Sequence, residues 1–447
     1  MNAYVQKRKG GVCVEGIKNK RYVVTVSYGN YMLSPGGTDK FILSQQRMLN
    51  EKGISLIHIF PQLRVFKWQV KSGKVWGVMI DGTSRCLTDT YGIVSLIKKL
   101  QRNGFVQLAF ILHHFKNTST EEVGRILRST DAEIIMYLHD YYTICPASGL
   151  LRDYKDFCGI GFPNEEKCRG CSCFDVDTII QAKRINKLLN GIADRINFIA
   201  PSKSMANNWL KAYPEFSERI IVVPHQKCVG EYRENMEHIS DSEPLRIAYV
   251  GYKAVHKGWN IWDYAAEKAC GAGKNYKFFH MGVCDVDCSY IQQIDVDFHS
   301  DIDGMTKALR DNRIDCAVLW SLIPETYSFT LYEAYSANCF ILTNSLSGNI
   351  AYVVDEKKNG IVAESRNELV QLLLDEKELR KRINQFRDKK EYGPDRLEEN
   401  DTIVDMLTKI KPAGKVIAGR FSVADRLMML FFRVYPLIER IRRRKKQ

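Results

Sequence analysis

The sequence predicts an α/β protein built from two doubly wound domains in tandem, facing across a cleft, with a basic amphipathic helix at its C-terminal end. Three observations carry this expectation. Short apolar runs alternate with helical patterns over residues 21–223; a stretch rich in Glu, Asp and Ser interrupts them at 231–244; the alternation then restarts. In the first half the runs at 22–27, 54–60, 75–80, 108–114, 133–138 and 197–200 read as strands of a parallel sheet covered by helices. In the second half the runs at 246–251, 276–281, 315–320 and 339–343 read the same way. The expected organisation is an N-terminal extension at 1–20, a first domain at 21–225 with a cysteine-rich insertion at 145–173, and a second domain at 226–400. A short helix at 401–411 and a basic tail at 412–447 follow.

Composition bounds the function. A chain of 447 residues exceeds what one core supports, and 45% hydrophobic with 11% aromatic residues argues against disorder. Lys and Arg exceed Asp and Glu by 13, which favours anionic partners such as nucleotide phosphates or anionic lipid. Much of that excess sits in Arg440, Arg442, Arg443, Arg444, Lys445 and Lys446, in a tail and not in a nucleic-acid groove, so no nucleic acid is expected as partner. The first eleven residues lack the apolar core of a signal peptide and no run of eighteen apolar residues occurs, so a cytoplasmic location is expected. There the 13 cysteines should be thiols or metal ligands.

In doubly wound sheets ligands bind beyond the carboxyl ends of the strands, so the loops there are the places to search. After the run at 22–27, Gly36 and Gly37 remove side chains where a phosphate or sugar approaches a helix start, and Thr38 or Asp39 can cap that helix. The spacing is not a G-x-G-x-x-G dinucleotide signature. His113 and His114 close one strand, and His139-Asp140 opens the string HDYYTICP after the next. Imidazole can hydrogen-bond a sugar hydroxyl at neutral pH while a neighbouring carboxylate fixes its tautomer, against the plainer reading of strand-end structural histidines. Cys168 and Cys171 have the two-residue gap of a zinc site, which Cys158 with Cys145 or Cys173 would complete; free thiols under a long loop are the alternative.

In the second half, Lys257 lies between the strand run at 246–251 and a helix, where a phosphate contact is one reading and a solvated loop charge before a glycine the other. Glu325 and Glu333 lie eight residues apart after the apolar run at 316–320. Thr326 or Ser328 would cap the helix between them, whose free N–H groups attract an anion such as a diphosphate. At about 1.5 Å rise per residue the two carboxylates lie roughly 10 Å apart, suited to the two ends of a sugar nucleotide. Two solvated glutamates on a capped helix are the bland alternative. Asp285 with Asp287, and Asp295 with Asp297, imitate a metal-binding D-x-D but fall in polar connections and read as solvated carboxylates. Phe421, Val423, Leu427, Leu430, Phe431, Val434, Leu437, Ile438 and Ile441 give the tail apolar residues at largely helical spacings, consistent with a basic helix lying on an anionic membrane face, the alternative being a helix packed back across the first domain.

The segment from Pro324 to Ala334 resembles the E-x7-E element of retaining GT-B glycosyltransferases. The glycine-rich first loop, HDYYTICP, the approach from Asn197 to His225 and Lys257 are similar to those of glycosyltransferase family 4, together spanning residues 21–410. The resemblance implies a GT-B fold with an N-terminal acceptor domain, a C-terminal donor domain and a terminal crossing helix at 401–411. It implies a hexosyl or other glycosyl transferase that moves a sugar with retention from a UDP- or GDP-sugar to an acceptor hydroxyl, on a lipid-linked or polysaccharide glycan. By the same resemblance His139 faces the donor sugar and Asp140 orients it or the acceptor. Lys257 meets the diphosphate, Glu325 the hydroxyls of the transferred sugar, Glu333 the ribose, and the backbone at Tyr327 and Ser328 the phosphate, with Gly36 and Gly37 also at the ligand. No catalytic divalent metal is expected, a structural zinc on the cysteines is possible, and residues 421–447 would hold the protein peripherally at the inner face of the membrane. One departure stands out: Tyr252 occupies the place where the family has an Arg on the diphosphate, leaving Lys253 or His256 to supply the charge. A nucleotide-sugar epimerase, a phosphorylase and a catalytically silent membrane-associated scaffold are the alternative readings.

Overall fold

The computed structural model describes residues 16–421 except 34–35, 66–67, 70–72, 148, 235, 283–287, 297–300, 302, 415 and 418–420. Apart from Phe421, the expected membrane helix at 421–447 lies outside the described residues, as do Asp285, Asp287 and Asp297. The chain forms two compact units, one from Met1–Pro146, Ile179–Ile199 and Asp401–Gln447, the other from Ala147–Thr178 and Ala200–Asn400. The segment 147–178, which holds most of the cysteine-rich stretch at 145–173, groups with the second unit.

The first unit is organised on strands β1 (Arg21–Val26), β2 (Ile54–Pro61), β3 (Trp76–Ile80), β4 (Thr83–Thr88), β5 (Val106–Leu112), β6 (Glu133–Tyr137) and β7 (Ile196–Ala200), in the order β7-β6-β5-β1-β2-β3-β4. The five strands from β7 to β2 are parallel. β1 and β2 are buried almost end to end, as a sheet covered on both faces requires. β3 and β4 correct the expectation of an all-parallel sheet, since both pair antiparallel. The link from β2 to β3 carries a small ribbon, Arg64–Val65 with Trp68–Gln69, where a parallel return would need a helix.

Helices α1 (Gly37–Glu51), α2 (Thr90–Arg102), α3 (Thr120–Leu127) and α4 (Val176–Asn190) form for local reasons as well as packing. Asp89 caps α2 by accepting from the Gly92 N–H, and Ser119 caps α3 by accepting from Glu122 N–H, each satisfying a donor the helix leaves open. α2 buries Ile93, Val94, Ile97 and Leu100 on one stripe. The chain returns to this unit at Asp401, and its helix Thr402–Lys409 is joined to α1 by Lys52 and Asp405, 3.1 Å apart. Because β1 is flanked by β2 on one side and by β5 on the other, the sheet's topological switch point lies between the loops that follow β1 and β5.

The second unit has strands β8 (Leu245–Val250), β9 (Tyr276–Met281), β10 (Ile291–Ile294), β11 (Cys316–Val318), β12 (Phe340–Asn344) and β13 (Gly360–Ala363), all parallel, in the order β10-β9-β8-β11-β12-β13. Helices α5 (Lys203–Leu210), α6 (Trp259–Gly271), α7 (Gly304–Asp311), α8 (Phe329–Ser336), α9 (Asn349–Lys357), α10 (Arg366–Leu374) and α11 (Glu376–Asp388) complete it. The period of two is visible in β8: Ile247 and Tyr249 join Trp259, Trp262, Leu369 and Phe386 on one face, while Ala248 and Val250 join Leu331, Ile350 and Val354 on the other. A buried ion pair, Arg387 to Asp315 at 2.6 Å, ties α11 to the entry of β11, and the Arg246 N–H donates to the other Asp315 oxygen. Here the switch point lies between the loops after β8 and β11.

Candidate functional site

In the second unit those two loops bring Lys257 and Glu325 together. Lys257 Nζ donates to Glu325 Oε1 at 2.6 Å, and Ser321 Oγ lies 2.9 Å from the same oxygen. The Glu325 side chain is 12% exposed and that of Lys257 34%. Burial alone would push the Glu325 carboxyl up, but the Lys257 charge and the hydrogen bonds from Lys257 and Ser321 outweigh it and hold the group below its ordinary value. Burial likewise disfavours the Lys257 ammonium, and Glu325 more than offsets it, holding the amine above its ordinary value. Both groups are therefore charged at neutral pH.

Two glycines make this approach possible. Gly258, at φ +80°, precedes α6 so tightly that a Cβ would lie 2.0 Å from the Trp320 carbonyl oxygen. Gly348, at φ +61°, bridges to Glu325, and a Cβ there would lie 2.6 Å from the Glu325 nitrogen. The segment from Glu325 to Ser328 is pinned at every residue. Glu325 exchanges backbone bonds with Ser347 and Asn349, Thr326 O accepts from Ser202 Oγ at 2.7 Å, and Tyr327 O accepts from Asn349 Nδ2 at 2.8 Å. Ser328 sits at φ +70° and accepts from Leu331 N–H, so Ser328 and not Thr326 is the cap of α8. A non-glycine residue held at positive φ against its own preference marks a segment whose surroundings dictate its shape.

The Tyr327 side chain turns inward, stacking on Tyr332 with centroids 4.5 Å apart and accepting from Gln226 N–H, so its backbone is what remains available at the helix mouth. Glu333 lies in α8 and is 7% exposed. Tyr252 is exposed, and its hydroxyl is 3.3 Å from His256 Nε2. Asp295 is described, directly after β10 and exposed, as expected of a solvated carboxylate.

In the first unit, the loops after β1, β5 and β6 assemble a second polar cluster. His114 Nδ1 accepts from the Lys116 N–H at 2.8 Å, which places the ring proton on Nε2, 2.8 Å from Asp140 Oδ2. The other Asp140 oxygen accepts from Tyr142 N–H. Burial would raise the Asp140 carboxyl, yet His114 and the Tyr142 N–H bring it down to about 2. His113 Nδ1 and His139 Nε2 are 3.0 Å apart, and burial drives His139 down to about 3 against the pull of Asp140, so this imidazole is neutral at physiological pH. A small cavity is lined by His113, His114, Tyr137, His139, Asp140 and Tyr142. On the β1 side Tyr28 donates to Asp39 Oδ2 at 2.5 Å, and its ring meets His114 edge-on at 5.2 Å. Asp39 is thus engaged sideways and α1 has no side-chain cap, contrary to the expectation for Thr38 or Asp39; Gly36 occupies the cap position and Gly37 the first turn.

Sequence reasoning passed over His58 and His280. His58 Nε2 is 3.0 Å from Gly29 O with Thr25 Oγ1 2.8 Å from Nδ1, and burial lowers its pKa to about 4, so the neutral ring donates to the Gly29 carbonyl. His280 Nε2 stands 2.8 Å from Gly251 O. In each unit a buried histidine on the strand beside the first thus fixes the backbone of the loop at the switch point. A histidine inside an otherwise apolar run, as in ISLIHIFP, was the available signal.

The zinc expectation finds no support. Among the described residues no group of three or more His, Cys, Asp or Glu is placed to hold a metal ion, and Cys145, Cys158, Cys168, Cys171 and Cys173 form no disulfide. Cys168 and Cys171 lie in a turn closed by Cys171 N–H donating to Cys168 O, while the Cys158 thiol donates to Leu150 O at 3.2 Å and Cys145 is buried in the other unit.

No family model matches this sequence, and no curated protein matches it. Solved structures do. Sucrose-phosphate synthase from Thermosynechococcus elongatus aligns over 87% of this chain and 97% of its own, at 10% identity and a TM-score of 0.51. The chain has the GT-B fold. WaaG, a glycosyltransferase involved in lipopolysaccharide biosynthesis, aligns over 87% of this chain and 99% of its own at 12% identity and a TM-score of 0.49; the pneumococcal O-GlcNAc transferase GtfA aligns over 83% and 96% at 10% identity and 0.48. Likeness at this level of identity concerns the GT-B architecture of two Rossmann-like units and not the reaction.

Proposed function

We propose that the protein is a glycosyltransferase that moves a sugar from a nucleotide-sugar donor to an acceptor hydroxyl. The observation that carries this reading is the Lys257–Glu325 pair, held at 2.6 Å beside the start of α8 at the switch point of a fully parallel sheet. A cation and free helix N–H groups suit a departing diphosphate, and a carboxylate kept ionised beside them suits the hydroxyls of the sugar being transferred. Because the loop from Glu325 to Ser328 is fixed by its own hydrogen bonds, those groups need little reorganisation when charge develops. Neutral His139 and ionised Asp140 supply hydrogen-bonding partners for sugar hydroxyls in the first unit, and Glu333 is assigned to the ribose. Basic groups and the helix dipole suffice to neutralise the leaving diphosphate, so no step is assigned to a divalent cation.

The finer reading follows the resemblance to family 4: retention of configuration, a UDP- or GDP-sugar donor, and an acceptor on a lipid-linked or polysaccharide glycan. Peripheral attachment to the inner face of the membrane through 421–447 belongs with it. Among the described residues no helix is long and apolar enough to cross a membrane.

Thermal-shift titration with UDP, GDP and their sugars, followed by mass spectrometry of products with a lipid-linked acceptor, tests the proposal. Stabilisation by a sugar nucleotide and transfer to the acceptor are expected; no stabilisation by any nucleotide would sink it. Tyr252 in place of an arginine favours a second reading, a silent scaffold of the same fold, for which nucleotide binding without turnover is the signature.

A further inference from the structure

The loop between Gly251 and Gly258 contains two basic candidates besides Lys257, and the structure separates them. Lys253 Nζ lies 5.0 Å from the centre of the Trp259 ring, a cation–π contact that keeps it at the start of α6. His256 turns instead to Tyr252, with Nε2 3.3 Å from the phenol oxygen and the rings edge-on at 6.2 Å. Its carbonyl accepts from Leu322 N–H at 2.8 Å, which fastens it to the loop carrying Glu325. The charged or titratable groups that act on its ring are Lys257, Glu325 and Tyr252.

We propose that Tyr252 and His256 together contact the diphosphate of the sugar nucleotide, and that His256 takes up a proton as the diphosphate binds. This rests on the donor-site reading above and deepens it by giving that site a pH dependence. Burial and the adjacent Lys257 charge hold His256 below its ordinary value, with Glu325 opposing, so the ring is neutral at pH 7. An arriving diphosphate brings negative charge within reach of the ring and favours the imidazolium. Binding therefore takes up a proton at any pH between the free and bound values. Affinity rises as pH falls through that window and levels off below the free value. An arginine in place of Tyr252 would carry its charge at every pH; this loop makes the charge conditional.

The test uses the full-length protein and whichever of UDP-glucose, UDP-N-acetylglucosamine and GDP-mannose gives the largest thermal shift. A sugar nucleotide is the right probe because it lacks the terminal phosphate whose second ionisation, near about pH 6, would mask the effect. Titration calorimetry in buffers of different ionisation enthalpy should show proton uptake near neutral pH. For each unit by which binding displaces the His256 pKa, affinity should tighten by up to about tenfold between about pH 8 and about pH 5.5. His256→Gln should abolish both the uptake and the slope while still binding the probe. Tyr252→Arg should bind about tenfold tighter and show a flatter profile. Binding without proton uptake in the wild-type protein, or a slope that persists in His256→Gln, would overturn this inference and leave the donor-site reading standing. If none of the three probes binds at any pH, the donor-site reading falls and this inference falls with it.

Discussion

Glu325→Gln keeps the shape of the side chain and removes its charge, leaving Lys257 without its counter-ion. Taking one partner from a fully buried pair costs about 3–5 kcal/mol, because the remaining charge is stranded. Lys257 is 34% exposed, so water reaches its ammonium and the cost falls toward about 1–2 kcal/mol. For a unit of this size that lowers the melting temperature by about 2–8 °C. Lys257→Met should cost a similar amount by stranding Glu325, which is the more buried of the two. The double variant should then be less destabilised than the sum of the single changes, since each single change already removes the pairing. On the functional side, Glu325→Gln should reduce transfer by about 100-fold or more while preserving affinity for a plain nucleoside diphosphate, which the freed Lys257 still meets. Thermal unfolding of the four proteins and initial transfer rates are the assays. Additive destabilisation would refute the coupling, and full transfer activity in Glu325→Gln would refute the site.

The stability of that pair should span a wide pH window. Glu325, lowered from 4.5, contributes above pH 4.5 and loses its contribution as pH falls through its folded value; Lys257, raised from 10.5, contributes below pH 10.5 and loses it as pH rises past its folded value. The first unit should be acid-sensitive earlier, because His139 and His58, lowered by burial from 6.5 to about 3 and about 4, contribute above pH 6.5 and lose it as pH falls toward those values. Urea unfolding at about pH 7 and about pH 5 should differ by about 1–2 kcal/mol less in His139→Gln than in the wild type, and an equal difference would contradict the assignment. Gly258→Ala should destabilise the second unit by about 2–4 kcal/mol, since its Cβ would enter the Trp320 carbonyl oxygen; unchanged melting would show that the loop can move aside. Metal analysis of the purified protein should find no stoichiometric zinc, and Cys168 and Cys171 should alkylate without a chelator. Deleting 421–447 should weaken binding to anionic vesicles, and undiminished binding would end the proposal for the tail.

The parts of the fold that were legible are those where burial writes the sequence. β2, wholly buried, and β8, with both faces covered, appear as largely apolar runs, and their ends are found to within a residue or two. β4, β10 and β13 escaped because each is an edge strand whose run is polar or very short: TSRCLT buries only its last residue, and IQQI and GIVA are four residues long. The antiparallel turn of β3 was hidden for a different reason, since pairing direction is set by the link and not by the strand's own residues. At the site, Lys257 and Glu325 could each be noticed alone, yet nothing in their separation of 68 residues announces a hydrogen bond. That contact depends on Gly258 and Gly348, whose importance is a matter of what lies 2.0–2.6 Å from an absent Cβ. His114 looked structural because its partner Asp140 follows a different strand, and parallel pairing alone brings the two strand ends side by side.

A structure of the protein with a bound sugar nucleotide tests the central claim most directly. The diphosphate is expected within hydrogen-bonding distance of Lys257 Nζ and the backbone N–H groups at the start of α8, with a hydroxyl of the sugar on Glu325. A nucleotide bound elsewhere, with Lys257 and Glu325 still paired to each other and touching no ligand atom, would contradict it.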